Sequence, residues 1–239
     1  MKNDLNSLLA PFRVRLDQTA LDKFDTYFTL LVRANEEFDL TNVPAEEIPE
    51  RHFLDSLLPA IVYPEYFISG STVCDVGSGA GFPGVPLGIF LPDIQVTLLE
   101  PMKKRSDFLI RTVHSLELKN VSVLRARAED AGKQKEYRET FGLTVSRAVS
   151  RLSVLLEYML PLTAKGGHAL CWKGPASSDE IADAVQASSL LGGGTSADLS
   201  LPQIGDAVRT LVVTPKLKET PAAYPRRAGI PLKRPIGGR

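Results

Sequence analysis

The chain is 239 residues long, enough to bury the core of one α/β domain with a small cap. No run of about eighteen apolar residues occurs, which excludes a membrane-spanning helix, and the polar start, Met1-Lys2-Asn3-Asp4, argues against a cleavable signal. The formal net charge is zero. We therefore expect a cytoplasmic protein that does not associate with membranes.

The two cysteines fit that expectation. Cys74 and Cys171 lie in apolar, strand-like segments, as reduced and buried thiols usually do. Neither has a metal-binding spacing to another Cys or His, so no metal site is predicted.

Residues 1–68 are predicted to form a helical cap. Apolar side chains recur at helical spacing over residues 19–34, at Leu21, Phe24, Phe28 and Leu31, and a second helix is indicated over residues 45–58. In this second helix His52 and Ser56 are four residues apart, which places them on one helical face beside Asp55. On spacing alone, a histidine in a helix is more often structural than functional.

Strands and helices alternate from residue 71 onward. Strands are predicted near residues 72–76, 95–99, 121–125, 142–146 and 167–172, and a final hairpin over residues 200–214. Helices are predicted near residues 84–91, 103–116, 152–160 and 177–190. Short apolar strands between helices indicate a doubly wound, mostly parallel sheet, here over residues 69–214. The ligand of such a sheet lies at the carboxyl ends of its strands.

The first predicted strand runs into a glycine-rich loop. Gly77, Gly79 and Gly81 alternate there, and glycine allows positive φ and close approach of a ligand to the main chain. Residues 79–84 also match the dinucleotide fingerprint G-x-G-x-x-G. However, Asp75 precedes the first glycine by two residues, where an anion would repel a pyrophosphate but attract the ammonium and sulfonium of S-adenosylmethionine. We therefore favour S-adenosylmethionine, with an NAD-dependent oxidoreductase as the alternative.

Polar residues follow each of the next four predicted strands. Glu100 stands about twenty residues after the loop, the spacing of a ribose-diol acceptor that both cofactors require. Glu129 follows the third strand, where it could read the adenine edge or merely cap a helix. Arg147 follows the fourth and could grip a guanine edge, hold phosphate or pair with an acid. Lys173 follows the fifth and is suited to phosphate.

The end of the fourth strand also lacks two features. Methylation of an exocyclic amine usually needs a polar-proline-aromatic turn there, and C5 methylation of a pyrimidine needs a Cys nucleophile. A ring nitrogen with a free lone pair, such as guanine N7, needs neither. Positioning alone can then supply roughly 7 to 11 kcal/mol.

The C-terminal residues 215–239 form a basic tail. They carry seven basic side chains against Glu219 alone, whereas residues 1–70 carry twelve acidic against six basic ones. Tyr224-Pro225-Arg226-Arg227 and Lys233-Arg234-Pro235 interleave bases with prolines and an aromatic, which extends the chain along a phosphate track. The tail is predicted to bind nucleic acid, and a solvated or disordered end is the alternative.

These segments together resemble the bacterial 16S rRNA guanine-N7 methyltransferases, the RsmG or GidB family. The match spans nearly the whole chain in order. It is carried by Leu40-Thr41, Arg51-His52, Asp55-Ser56, the loop of residues 75–84, Lys104-Arg105 with Phe108-Leu109, Arg127-Ala128-Glu129, Ser146-Arg147-Ala148, Lys173-Gly174 and the tail Tyr224-Pro225-Arg226-Arg227 with Gly229 and Pro231. Two mild departures, Ser78-Gly79-Ala80 for a Thr-Gly-Pro version and Glu100 where Asp is frequent, keep the chemistry.

The resemblance implies a seven-stranded Rossmann-like methyltransferase sheet with an N-terminal helical cap. It implies S-adenosylmethionine-dependent methylation of N7 of the guanine at nucleotide 527, in 16S rRNA, the small ribosomal subunit or its precursor. Gly77 and Phe82 would line the cofactor loop, Ala128 and Glu129 would meet the adenosine, and Arg147 would bind the cofactor at its junction with the substrate. The residues placed on the substrate side are Arg51, His52, Asp55, Ser56, Arg147 and Lys173, and those of the RNA tail are Arg226, Arg227, Lys233 and Arg234.

Other functions remain open from the residues alone. They are a small-molecule O-methyltransferase of the same fold, the NAD-dependent oxidoreductase, and a non-catalytic RNA-binding factor. The sequence does not determine the oligomeric state, although a monomer is favoured.

Overall fold

A seven-stranded sheet lies at the centre of the computed structural model, which describes residues 2–147, 150–174, 177–205 and 207–237. The strand order is β3-β2-β1-β4-β5-β7-β6. The first five strands are parallel, and β7 runs antiparallel to both β5 and β6. The strands are β1 Thr72–Val76, β2 Gln95–Leu99, β3 Val121–Leu124, β4 Phe141–Arg147, β5 Thr163–Lys173, β6 Ala197–Ile204 and β7 Ala207–Pro215.

Helices cover both faces of the sheet, as the alternation of elements predicted. They are α1 Lys2–Leu9, α2 Gln18–Glu37, α3 Asp55–Val62, α4 Gly84–Phe90, α5 Lys103–Ser115, α6 Ala128–Ala131, α7 Leu152–Met159, α8 Ser177–Leu190 and α9 Ile230–Lys233. Val73 of β1 packs with α2 to α5 in one apolar cluster, and its neighbour Cys74 packs with α7 and α8 in another. This division follows from the alternation of side chains along a strand. Cys74 and Cys171 are free and buried, as predicted.

The cap departs from the prediction in one important place. The helix predicted over residues 45–58 is a 3₁₀ turn at Ala45–Glu47, a π-helical turn at Pro49–Leu54 and then α3. Pro49 has no N–H, so the 3₁₀ turn before it cannot continue through it as a regular helix. In the wider turn that follows, the Asp55 N–H donates to the Glu50 carbonyl, five residues earlier. His52 thus lies in the π-helical turn and Ser56 in α3, where Ser56 is fully buried.

Helix α1 was not predicted, since a segment with three leucines in eight residues is too short to establish a helical period. Tertiary packing stabilises it instead. Leu5 and Leu9 are fully buried in the same apolar cluster as Phe24 and Phe53.

The basic tail does not follow the extended path that its composition suggested. Over residues 215–237 it folds back onto the domain and ends in α9, with Pro231 and Ile236 buried. Lys216 is fully buried and donates to the Leu160 carbonyl at 2.7 Å, while its Nζ lies 2.9 Å from Glu139 Oε1. The Arg138 guanidinium donates to the carbonyls of Thr220 and Tyr224. Internal carboxylates and carbonyls thus hold the tail, which the sequence alone did not indicate.

Within the described ranges, no helix combines the length and apolar character needed to cross a membrane.

Candidate functional site

The glycine loop leaves β1 at the carboxyl edge of the sheet, where the prediction placed a ligand. The N–H groups of Gly77 and Ser78 both donate to the Leu99 carbonyl, at 2.9 and 3.2 Å, which fixes the loop over the end of β2. Gly77, Gly79 and Gly81 have φ values of +77°, +58° and +107°. The loop therefore uses the left-handed conformations that glycine alone adopts easily.

The loop glycines have different roles. A Cβ at Gly79 would meet only the Gly77 carbonyl, at 3.9 Å, so open space lies in front of this residue. A Cβ at Gly81 would lie 2.6 Å from the Tyr27 hydroxyl, and one at Gly84 would lie 2.7 Å from Asp75 Oδ2. Gly79 thus leaves space for a ligand, whereas Gly81 and Gly84 leave space for the side chains of Tyr27 and Asp75.

Asp75 lies fully buried beneath the loop. Its Oδ2 accepts a hydrogen bond of 2.9 Å from the Gly84 N–H, but its Oδ1 has no partner within the described part of the chain. Burial raises the pKa of this carboxyl to about 7, and the Gly84 N–H and Ser78 only partly offset that effect. A buried acceptor without a partner is costly, so this oxygen suits a cationic ligand group such as the ammonium of S-adenosylmethionine.

Glu100 lies beside the same loop, at the end of β2. Its two carboxylate oxygens accept from the N–H groups of Gly79 and Met102, at 2.9 and 2.8 Å. Each oxygen keeps a second lone pair. The geometry leaves Glu100 able to accept ribose hydroxyls at the cradle.

Tyr27 of the cap also holds the loop, and sequence reasoning missed it. Its fully buried hydroxyl donates to the Ala80 carbonyl at 2.6 Å, and its ring packs on Phe82. The predicted apolar stripe on this helix included Phe28, but it is Tyr27 that is fully buried. The sequence signal for this contact is Gly81, because a residue without a side chain at that position makes space for the Tyr27 hydroxyl.

Replacing Tyr27 with phenylalanine should therefore weaken the loop. The change leaves the buried Ala80 carbonyl without a donor, so we expect the free energy of unfolding to fall by about 1 to 3 kcal/mol. Binding of S-adenosylmethionine, measured by calorimetry, should weaken as well. Tyr63→Phe is the matched control, because the Tyr63 hydroxyl donates to the Ser200 carbonyl at an exposed position away from the loop. Equal effects of the two changes would contradict the role of Tyr27.

A cavity of about 360 Å³ opens next to the loop, at the carboxyl ends of β4 and β5. It brings together five residues that the sequence placed on the substrate side, and four that it did not. The predicted ones are Arg51, His52, Asp55, Arg147 and Lys173, and the others are Val43, Trp172, Gly174 and Arg209.

Arg147 connects the loop to the cavity. One terminal nitrogen donates to Asp55 Oδ2 at 2.7 Å, and the other lies 2.8 Å from His52 Nδ1. Its guanidinium also lies over the Phe82 ring, 4.9 Å from the centroid. The side chain is only 12% exposed, so Arg147 is a buried junction and not a surface ion pair. Ala148, which follows it in the predicted motif, lies outside the described residues.

His52 is held as a neutral imidazole. Burial, and then the Arg147 charge, lower the pKa of His52 to about 3. Since arginine can only donate, Nδ1 must accept, and the ring proton lies on Nε2, which is 2.6 Å from the Thr41 hydroxyl. The ring stacks on Phe82 with centroids 4.4 Å apart. His52 therefore orients Arg147 and Phe82 and has no free nitrogen for proton transfer.

Asp55 joins two arginines from different strands. Its Oδ1 accepts from Arg209 Nε at 3.1 Å and its Oδ2 from Arg147, while its carbonyl accepts from the Trp172 indole at 2.9 Å. The Asp55 side chain is only 3% exposed, and both of its carboxylate oxygens are paired. Sequence reasoning missed Arg209, because only the antiparallel pairing of β7 with β5 brings it to this edge.

Contacts within the protein already engage three other residues that the sequence placed on the substrate side. Lys173 lines the cavity, but its ammonium already donates to Glu180 and to the Ser150 carbonyl, both at 2.7 Å. Arg51 is more exposed and pairs with Glu47. Ser56 does not line the cavity as predicted: it is fully buried, and its hydroxyl donates to the His52 carbonyl at 2.6 Å.

The third strand end and the tail meet each other. Ala128 and Glu129 begin α6, and Glu129 Oε1 accepts from the Gly229 N–H of the tail at 2.9 Å. Arg226 forms an ion pair with the buried Glu157. The remaining predicted tail bases, Arg227, Lys233 and Arg234, are exposed.

Two solved methyltransferase structures share this fold. A predicted O-methyltransferase from Agrobacterium tumefaciens matches 70% of this chain and 82% of its own, with a TM-score of 0.54 and 22% identity. A SAM-dependent methyltransferase from Aquifex aeolicus matches 77% of this chain and 97% of its own, with a TM-score of 0.51 and 18% identity. These structures and the strand order show the Rossmann-like fold that such methyltransferases share, with the glycine cradle and the unpartnered Asp75 oxygen at the carboxyl edge of its sheet.

Sequence relatives identify the family. The model described as "GidB: rRNA small subunit methyltransferase G" matches residues 20–210. Proteins named "Ribosomal RNA small subunit methyltransferase G" are 43% identical in Lactobacillus delbrueckii subsp. bulgaricus, over 95% of this chain and 96% of theirs, and 38% identical in Brevibacillus brevis, over 98% and 99%. The chain belongs to the rRNA small subunit methyltransferase G family, which confirms the resemblance drawn from the motifs.

Proposed function

We propose that the protein transfers the methyl group of S-adenosylmethionine to N7 of the guanine at nucleotide 527 of 16S rRNA. The observation that carries this proposal is the cavity beside the glycine loop, whose lining, within the described part of the chain, contains cations but no base free to take a proton. Its lining includes Arg51, Arg147, Lys173 and Arg209, against Asp55 as the acid. Family membership supports rRNA as the substrate.

The state of the polar side chains favours N7 over other positions. Both ring nitrogens of His52 are occupied, and both carboxylate oxygens of Asp55 are paired. A hydroxyl or an exocyclic amine would need a group to take its proton, whereas N7 has a free lone pair. This argues against the small-molecule O-methyltransferase, which would have to activate a hydroxyl.

The protein's own contribution is therefore binding and orientation. When bound, S-adenosylmethionine supplies an electrophilic methyl group. Asp75 would hold its ammonium and Glu100 its ribose hydroxyls, with open space at Gly79 for the approach. Arg147 and Phe82 would lie at the junction of cofactor and guanine and leave N7 in contact with the methyl carbon, so that the bond to N7 forms as the bond to sulfur breaks. Arg147 and Arg209 would hold the nucleotide. Orientation of this kind can supply roughly 7 to 11 kcal/mol.

The shape and charge of the cavity fit an exposed loop base. Its volume of about 360 Å³ lies within the ordinary range of roughly 300 to 1,000 Å³ for ligand pockets. RNA bases in loops can be splayed out for recognition, while the major groove of an RNA helix is too narrow for side chains. In this proposal residues 1–68 form the cap, residues 69–214 hold the cofactor and residues 215–239 supply basic contacts, and the protein works in the cytoplasm on the small subunit.

The direct test is transfer of labelled methyl from S-adenosylmethionine to 16S rRNA, to partly assembled subunits and to mature subunits that lack the modification. Digestion and nucleoside identification should give 7-methylguanosine in the expected loop. Label in another nucleoside would refute the N7 assignment. Absence of label from every substrate, in a protein that binds the cofactor, would refute the rRNA activity and favour a non-catalytic RNA-binding factor.

The exposed tail bases should contribute to RNA affinity. A variant with Arg227, Lys233 and Arg234 all replaced by glutamine should bind rRNA more weakly. The slope of log affinity against log salt should fall by about two, since a single-stranded site loses roughly 0.7 per phosphate contact. Replacing the exposed Arg111 of α5 with glutamine is the control for loss of charge as such. An unchanged slope in the triple variant would remove these bases from the RNA interface.

A further inference from the structure

The C-terminal residues 220–237, here called the strap, are anchored to α7 by a buried charge pair. Glu157 is 0% exposed, and Arg226 donates to it from its main-chain N–H, its Nε and its Nη2, at 2.5 to 3.1 Å. This pairing raises the pKa of the Arg226 guanidinium. A carboxylate buried to this degree needs such a partner, so the Arg226 guanidinium neutralises Glu157 within the protein.

A second contact joins the strap to α6. The Gly229 N–H donates to Glu129 Oε1 at 2.9 Å, and Glu129 is only 4% exposed. Helix α6 follows β3 after the three residues 125–127, and the β3 end pairs with the β2 end, where the Glu100 N–H donates to the Leu124 carbonyl at 3.1 Å. Two hydrogen bonds, from Gly229 to Glu129 and from Glu100 to Leu124, thus connect the strap with Glu100, the acid that faces the cofactor cradle.

Close packing reinforces this connection. A Cβ at Gly132, just after α6, would lie 3.1 Å from the Pro225 ring, so a larger side chain would displace the strap. Arg138 donates both to the Gly132 carbonyl and to the Tyr224 carbonyl, at 2.8 Å each. The strap, α6 and the turn that follows it thus form one packed unit.

We infer that the strap is a structural part of the cofactor site. Arg226 fixes the strap on α7, and Gly229 then holds α6, and with it the wall that Ala128 and Glu129 would present to the adenosine of S-adenosylmethionine. Arg226 and Glu157 are positioning residues in this scheme. The inference rests on the proposed cofactor and on the position of its adenosine at Ala128 and Glu129 that the family resemblance implies, but not on the identity of the methylated nucleotide.

Two adjacent arginines provide a matched test. Arg226 is paired inside the protein, whereas Arg227 is exposed. In the full-length protein without RNA, Arg226→Gln should raise the Kd for S-adenosylmethionine about tenfold, within the usual range of coupling between sites. Arg227→Gln should leave that Kd unchanged and lower only the salt dependence of rRNA binding. Equal Kd values for both variants would overturn the inference.

A second variant guards against misfolding, because Arg226→Gln leaves Glu157 buried without its partner. Glu157→Gln combined with Arg226→Gln removes both charges and should fold, yet still bind the cofactor more weakly. Hydrogen exchange gives an independent readout: S-adenosylmethionine should slow exchange of the Gly229 amide in the wild-type protein and do so less in the double variant. Wild-type cofactor affinity in a folded double variant, or a Gly229 amide indifferent to the cofactor, would overturn the inference. A wild-type protein that binds S-adenosylmethionine without methylating rRNA would refute the proposed substrate alone.

Discussion

Replacing Arg147 with alanine is expected to lower kcat/KM for rRNA methylation by about a hundredfold or more, because misplacement of about 1 Å already costs that much. Arg147 touches the loop through Phe82, the cap through Asp55 and His52, and the cavity itself. No other side chain among the described residues makes this set of contacts. The loss should appear in both kcat and KM for rRNA, since Arg147 would both orient the guanine and hold the nucleotide.

Arg147→Lys separates charge from geometry. Lysine keeps the positive charge near Asp55 but cannot reach two partners with a planar fork, so it should restore folding stability without restoring turnover. Asp55 keeps Arg209 in both variants, which limits the cost of the unpaired carboxylate. Normal turnover in Arg147→Ala would show that its contacts are purely structural.

Replacing Asp75 with asparagine is expected to weaken binding of S-adenosylmethionine by about ten- to a hundredfold at pH 8, the range for a lost hydrogen bond to a charged group. The wild-type affinity should also depend on pH. Burial raises the pKa of Asp75 in the free protein to about 7. A cationic ligand favours the ionised carboxylate, so affinity should improve as pH rises to about 7 and then level off.

The stability of the free protein should fall as pH rises, which is opposite to the trend in cofactor affinity. The folded pKa of Asp75 lies above the ordinary value of 3.8, so the folded protein holds this proton more tightly than the unfolded chain. The free protein should therefore lose stability as pH rises from about 4 to about 7, by up to about 1.4 kcal/mol per pH unit. Asp75→Asn should remove this contribution from pH-dependent unfolding curves and flatten the pH dependence of cofactor affinity. A wild-type affinity that is constant between pH 6 and pH 8 would contradict the pKa and the role of Asp75.

The sequence by itself determined the class of the fold. Strands β1 to β4 are short and largely apolar segments, and local pattern is enough to locate them. The pattern found only the second half of β5, because Thr163–Lys173 begins with polar residues and glycines. The positive φ angles at Gly77, Gly79 and Gly81 are also local properties. Parallel strands end at one edge, so Arg147 and Lys173 could be placed together before any contact was known.

Only the tertiary structure decided how the charged side chains are paired. Arg209 reaches Asp55 through an antiparallel strand 154 residues later in the chain, and Arg226 reaches Glu157 across 69 residues. The π-helical turn that aims His52, and the buried Tyr27 hydroxyl beneath the loop, likewise depend on packing between the cap and the sheet. Periodicity reports which side chains are apolar, but the partner of a buried charge or hydroxyl is set by residues distant in sequence. For this reason the same basic tail that suggested an extended RNA-binding arm is, in part, an internal strap.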